Sequence, residues 1–97
     1  MAKRIVWSEN ALEDRHKILI YWFEILGHKN YSKKLDNDFR NVLKLIARYP
    51  EIGRKSSDKE MRYFIKDAYI IYYIINPKTI EILHIWDSRR NPEDLMK

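Results

Sequence analysis

Arg54, Lys55, Arg62, Lys66, Arg89 and Arg90 all fall in the C-terminal half of the sequence. Guanidinium and ammonium groups in such a set grip phosphate or carboxylate through charge-assisted hydrogen bonds. Their densest point is the stretch "EILHIWDSRRNPED", residues 81–94, in which an apolar run reaches Trp86 and then gives way to Asp87, Arg89 and Arg90. Asp87 is placed to neutralise one of the two arginines. Proton carriers to accompany these cations are few: His84, Glu51, Asp87 and the tyrosines of the C-terminal half. General acid/base work needs one group to accept a proton and another to donate one, each within hydrogen-bond reach. Arg62, His84, Arg89 and Arg90 are the candidates for a catalytic role. Arg54, Lys55, Lys66, Trp86, Asp87, Arg89 and Arg90 are the candidates for binding a target.

Metal chemistry has little to work with. Cysteine is absent, and His16, His28 and His84 stand far apart with no HExxH spacing and no ligand cluster, so no metal and no cofactor is expected. Tyr63, Tyr69, Tyr72 and Tyr73 crowd into one region, where packing explains most aromatics, although tyrosines on an open sheet face also stack on bases.

These side chains must be positioned by a small set of elements. "RIVWS" (Arg4 to Ser8) is β-branched and aromatic and reads as a strand, and Ser8 then caps a helix with Glu9 and Glu13 near its start. Leu12, Leu19, Trp22, Phe23 and Leu26 recur at helical spacing and predict one apolar stripe, with Gly27 as the stop. Ser32 is the expected cap of a second helix, along which Leu35, Phe39, Val42, Leu43 and Ile46 repeat the pattern as far as Tyr49 and Pro50. "PEIGRKSSDKE" reads as a loop. "MRYFIK", "AYIIYYII" and "TIEILHIW" read as three strands, the last two apolar on both faces, with His84 sharing a face with Ile80, Ile82 and Trp86. Short connections predict an antiparallel meander, so the fold class is α+β, in the order β-α-α-β-β-β, with a helical hairpin on one face of a mainly antiparallel sheet.

A chain of 97 residues suits one domain, 1–97. Its 45% hydrophobic and 34% charged content is globular, and nothing in it has the length of a membrane span or the flanks of a signal peptide, so the cytoplasm is the expected location. The net charge of +5 favours a polyanion or an acidic protein as partner.

Taken in order, the short first strand entering a helix, the helical hairpin, "YPEIGR" (Tyr49 to Arg54), "AYIIYYII" (Ala68 to Ile75) and "IWDSRRNPE" (Ile85 to Glu93) resemble the RelE/ParE superfamily of bacterial toxins. The resemblance implies the toxin component of a type II toxin-antitoxin, or plasmid stabilisation, module, held inactive by a cognate acidic antitoxin. It also implies one of two targets. RelE-like members are metal-independent endonucleases that cut mRNA on the ribosome, and ParE-like members inhibit DNA gyrase.

Carried over residue by residue, the ribonuclease pattern fits in part. Arg89 or Arg90 matches the arginine ending the last strand, where it would stabilise phosphate. Tyr69 is followed by Ile70 where those enzymes have an arginine, "NPEDLMK" lacks the C-terminal tyrosine, and Trp86 and Asp87 replace the histidine-tyrosine pair of the related YoeB toxins. The ParE-like activity is therefore favoured, with the ribonuclease as the alternative and a non-toxic basic nucleic-acid or protein-binding module as a further one.

Overall fold

Residues 2–57 and 60–89 are described by the computed structural model. The elements are β1 (Arg4–Trp7), α1 (Glu9–Leu26), α2 (Asn30–Arg48), a single 3-10 turn (Pro50–Ile52), β2 (Arg54–Lys55), β3 (Met61–Lys66), β4 (Tyr69–Ile75) and β5 (Thr79–Asp87). The predicted α+β order holds, with the expected loop contributing the 3-10 turn and the two-residue β2. The five strands form one sheet in the order β1-β5-β4-β3-β2. β3, β4 and β5 make the antiparallel meander, while β1 lies parallel to β5, so the first and last strands are neighbours.

Both helices cover one face of this sheet. Leu35, Phe39, Val42, Leu43 and Ile46 of α2 meet Tyr69, Ile71, Tyr73, Ile80, Ile82 and Ile85, all of them buried. Each large apolar side chain taken fully out of water contributes about 1.5–3 kcal/mol before the entropy of ordering is set against it. Strand alternation sends Tyr63, Ile65, Ile70, Tyr72 and Trp86 to the opposite face, on which no helix lies among the described residues.

Four sequence expectations need correction. In α1 the inward side is Ala11, Ile18, Leu19 and Trp22, whereas Leu12, Phe23 and Leu26 of the expected stripe are 47%, 41% and 41% exposed. The helix is apolar on several sides, so periodicity alone could not choose the buried one. Ser32 is no cap: α2 starts at Asn30, and the Ser32 hydroxyl, inside the helix, donates to the Leu19 carbonyl at 2.7 Å, tying the hairpin together. β5 shifts register between Tyr72 paired with His84 and Tyr73 paired with Ile82, leaving Leu83 as the extra residue. That bulge puts His84 on the face of Trp86 and away from Ile80 and Ile82. Finally, β4 and β5 are fully buried on their inner face only.

Ser8 does cap α1, accepting from the Ala11 N–H at 3.0 Å, and its hydroxyl also donates to the Leu83 carbonyl at 2.9 Å. Gly27 ends α1 in the left-handed conformation, φ 73°.

Candidate functional site

β1 pairs with residues 79–82 of β5, so the C-terminal half of β5 runs on beside α1 with no strand among the described residues on that side. Asp14 of α1 fills the vacancy: one carboxylate oxygen, Oδ2, accepts the Ile85 backbone N–H at 3.1 Å and lies 3.1 Å from His84 Nδ1. A carboxylate thus substitutes for a neighbouring strand just past the bulge, and His84 is held by the same atom.

Beyond this pin α1 and β5 diverge, and a groove of about 600 Å³ opens between them, lined by Asp14, Lys17, Ile18, Tyr21, Tyr69, Ile85, Asp87 and Arg89. Its floor is built by a hydrogen bond from Trp22 Nε1 to the Tyr69 hydroxyl at 2.8 Å, with Tyr31 and Phe39 packed edge-on against these two rings. The cross-strand rows explain the far end. Lys66 pairs with Tyr69 across a two-residue turn at Asp67 and Ala68, Tyr69 pairs with Asp87, and the Ser88 N–H donates to the Ala68 carbonyl at 2.7 Å. Asp87 then accepts the Arg89 backbone N–H at 2.9 Å, turning the chain back over the groove.

Arg89 is consequently fixed. Its guanidinium makes a two-pronged pair with Asp87 at 2.9 and 2.7 Å and sits 5.6 Å from the Trp22 ring and 5.9 Å from the Tyr69 ring. The hydrogen bonds it donates to Asp87 raise the Arg89 pKa still further, so the group is a permanent cation. Burial pushes the Tyr69 phenol above its ordinary value, with the Trp22 hydrogen bond opposing it more weakly.

The predicted site residues divide accordingly. Asp87 and Arg89 come together at the groove end, Lys66 lies in the same cross-strand row but on β3, with Tyr69 of β4 between it and Asp87, and Arg90 lies outside the described residues. Trp86 and His84 are on the uncovered sheet face, opposite Ile70 and Tyr72. Arg54 and Lys55 sit on β2 at the far edge, separated from β5 by β3 and β4. Arg62 is engaged in holding the loop, donating to the Gly53 carbonyl at 2.8 Å and the Glu51 carbonyl at 3.3 Å. Of the tyrosines, Tyr63 and Tyr72 lie 6.1 Å apart on the uncovered face, while Tyr69 and Tyr73 face the helices. Sequence reasoning missed Asp14, Lys17, Tyr21 and Trp22. The spacing of 14, 18 and 21 marks one helical side and was the available signal.

This arrangement is a binding groove more than a proton-transfer site. An incoming anion meets an arginine already engaged by Asp87, and a ligand with an aromatic or apolar body meets Tyr21, Tyr69, Ile18 and Ile85. Among the described residues no group of His, Asp or Glu could hold a metal ion.

A family model described as the ParE toxin of the type II toxin-antitoxin system, parDE, matches residues 5–92. A solved structure from the chromosomal ParDE toxin-antitoxin system of P. aeruginosa superposes with a TM-score of 0.75 at 19% identity, covering 87% of this chain and 94% of that one. At that identity the likeness is one of fold. No curated protein matches the sequence.

Proposed function

The chain belongs to the ParE toxin family of type II toxin-antitoxin systems, and from that premise we propose that it arrests growth by binding DNA gyrase through the groove between α1 and β5. A cognate acidic antitoxin neutralises it by covering the same groove. The observation that carries this reading is the fixed Arg89–Asp87 pair set against Trp22 and Tyr69: it offers a rigid, aromatic-backed contact for a protein surface, with the cation already partnered. Rigid aromatic and arginine anchors are the usual centre of protein interfaces. The basic chain, at net charge +5, suits an acidic partner. The cytoplasm is the compartment where such a target is met, and no helix among the described residues is long and apolar enough to cross a membrane.

RelE-like cleavage of mRNA on the ribosome is the second reading, and one observation favours it: His84 is oriented by a carboxylate, as the imidazole of an acid/base catalyst is. The two readings part in one experiment, in which the protein is induced and RNA 5′ ends and DNA synthesis are followed side by side, with supercoiling by purified gyrase as the direct assay. A replication block with intact messages is expected. Codon-positioned cuts within minutes while replication continues would replace the gyrase reading with the ribonuclease.

A further inference from the structure

The rings around Arg89 are held in place by groups other than Arg89. Tyr69 is buried, its hydroxyl accepts from Trp22 Nε1 at 2.8 Å, and Tyr31 and Phe39 of α2 pack edge-on against the two rings. Asp87 is placed independently too, by its pairing with Tyr69 across β4 and β5. Two aromatic rings and a carboxylate therefore stand together at one end of the groove, and each attracts a planar cation: a ring through its negative face, the carboxylate through paired N–H donors. The guanidinium seated there is the chain's own. Its position is well defined, yet its side chain is 52% exposed, and an exposed ion pair holds its members weakly. Among the described residues lining the groove, Asp14 and Asp87 balance Lys17 and Arg89 while Arg89 is seated; with Arg89 withdrawn, two carboxylates face one ammonium and the groove carries an excess negative charge. Ile18 and Ile85 supply apolar surface on which the methylene stem of a long cationic side chain can lie.

We propose that this end of the groove is a binding site for a guanidinium group, with Arg89 as its resident occupant, and that an arginine side chain of a docked protein takes the place by exchange. The tether keeps Arg89 at an effective concentration on the order of millimolar. Free arginine in solution therefore competes poorly, whereas a side chain delivered by a protein already seated in the groove competes on equal terms. Arginine is favoured over lysine because its planar fork matches the two-pronged pairing with Asp87 and stacks on the rings. An anion, the competing ligand, would be repelled by Asp14 and Asp87 and would find Arg89 with Nε and one terminal nitrogen already donating to Asp87. The identity of the docked protein rests on the proposed role of the groove; the cation site itself rests on the rings and carboxylates.

The test follows the indole N–H of Trp22 by proton-nitrogen NMR, with N-acetyl-arginine methylamide as the probe. In Arg89→Ala the vacated site should bind the probe and move this resonance, with an affinity about tenfold or more above that of the natural chain, where the tethered guanidinium competes. The lysine analogue should bind more weakly, the glutamate analogue should leave the resonance where it is, and adding Asp87→Asn to Arg89→Ala should abolish the response. The natural chain gives a second measurement free of any substitution. Its Arg89 Nε–H signal, shifted by the rings of Trp22 and Tyr69, should move toward its free value as the probe is raised well beyond the effective concentration of the tether, and should Arg89→Ala not fold, that signal decides alone. A Trp22 resonance in folded Arg89→Ala that ignores the arginine probe, an equal response to the glutamate analogue, an undiminished response in the double variant, or an Arg89 signal that never moves in the natural chain would each overturn the proposal. None of these readouts involves toxicity or gyrase, so failure of the cation site and failure of the gyrase reading are told apart.

Discussion

Tyr73 and Gly53 fill one space between them: the Gly53 N–H donates to the Tyr73 hydroxyl at 2.9 Å, that hydroxyl donates to the Pro50 carbonyl at 2.7 Å, and a Cβ on Gly53 would collide with the phenol and with the Tyr63 carbonyl. The turn after α2 is thereby clamped to the buried centre of the sheet. Gly53→Ala should destabilise the fold by about 1–3 kcal/mol through overpacking. Tyr73→Phe should cost a similar roughly 1–3 kcal/mol, because it leaves the Gly53 N–H and the Pro50 carbonyl without their partner. Thermal melts check both, since about 1 kcal/mol moves the midpoint by roughly 4–8 °C in a domain of this size. Melts unchanged from the natural chain would show that the clamp carries no weight.

Alkaline pH should weaken the fold through the same ring. Burial raises the pKa values of Tyr73, Tyr69 and Tyr72 above the ordinary 10.0. In the unfolded chain these phenols ionise first, so above that value the folded state holds more protons and stability falls as pH rises. Their contribution is whole below pH ~10 and is lost as the pH climbs through the folded values. Denaturant melts across this range, read with phenolate absorbance, should show the decline, and Tyr73→Phe should make it shallower.

Arg89 tests the groove. Arg89→Ala removes a largely exposed ion pair, worth about 0–1 kcal/mol, and a ring contact worth about 0.5–1 kcal/mol, so the protein should stay folded while growth arrest is relieved. Arg89→Lys should recover only part of the toxicity, because an ammonium cannot reproduce the two-pronged geometry. Colony counts and circular dichroism are read together, and undiminished toxicity in folded Arg89→Ala would remove this residue from the contact.

Asp14 and His84 separate structure from chemistry. Asp14→Ala should cost about 1–3 kcal/mol by leaving the Ile85 N–H unpartnered, and faster hydrogen exchange at that amide would be the local sign. His84→Ala should keep full toxicity under the gyrase reading. Loss of toxicity in folded His84→Ala, together with loss of any RNA cleavage, is the pattern the ribonuclease reading requires.

The legible parts of the sequence were those in which one periodicity had one explanation. α2 alternates apolar and charged residues cleanly, and Leu35, Phe39, Val42, Leu43 and Ile46 are the residues it buries. Ser8 and Gly27 bound α1 as their chemistry demands, one accepting an orphan N–H and the other taking the left-handed turn. α1 itself could not be oriented, because apolar residues surround it and Asp14 and Arg15 point inward to fixed partners across the fold. The Leu83 bulge was hidden because "EILHIW" is apolar enough to suit either register. The groove combined Asp14 and Tyr21 with Asp87 and Arg89, residues some seventy positions apart that meet only once β5 lies beside α1.

The last of the described strands to be made is an inner one. β5 slots between β1 and β4, and the Ser8 N–H and hydroxyl bond to Ile82 and Leu83. During synthesis the N-terminal strand and helix therefore wait, unable to complete the sheet until residue 87 has left the ribosome. Long-range pairing of this kind is slow to form. A growing chain has neither the Asp14 pin nor the Arg89 contact, so the proposed contact surface forms only once β5 is in place. Under the proposed function, activity begins only after release, and that delay is an interval in which a neutralising partner has time to bind.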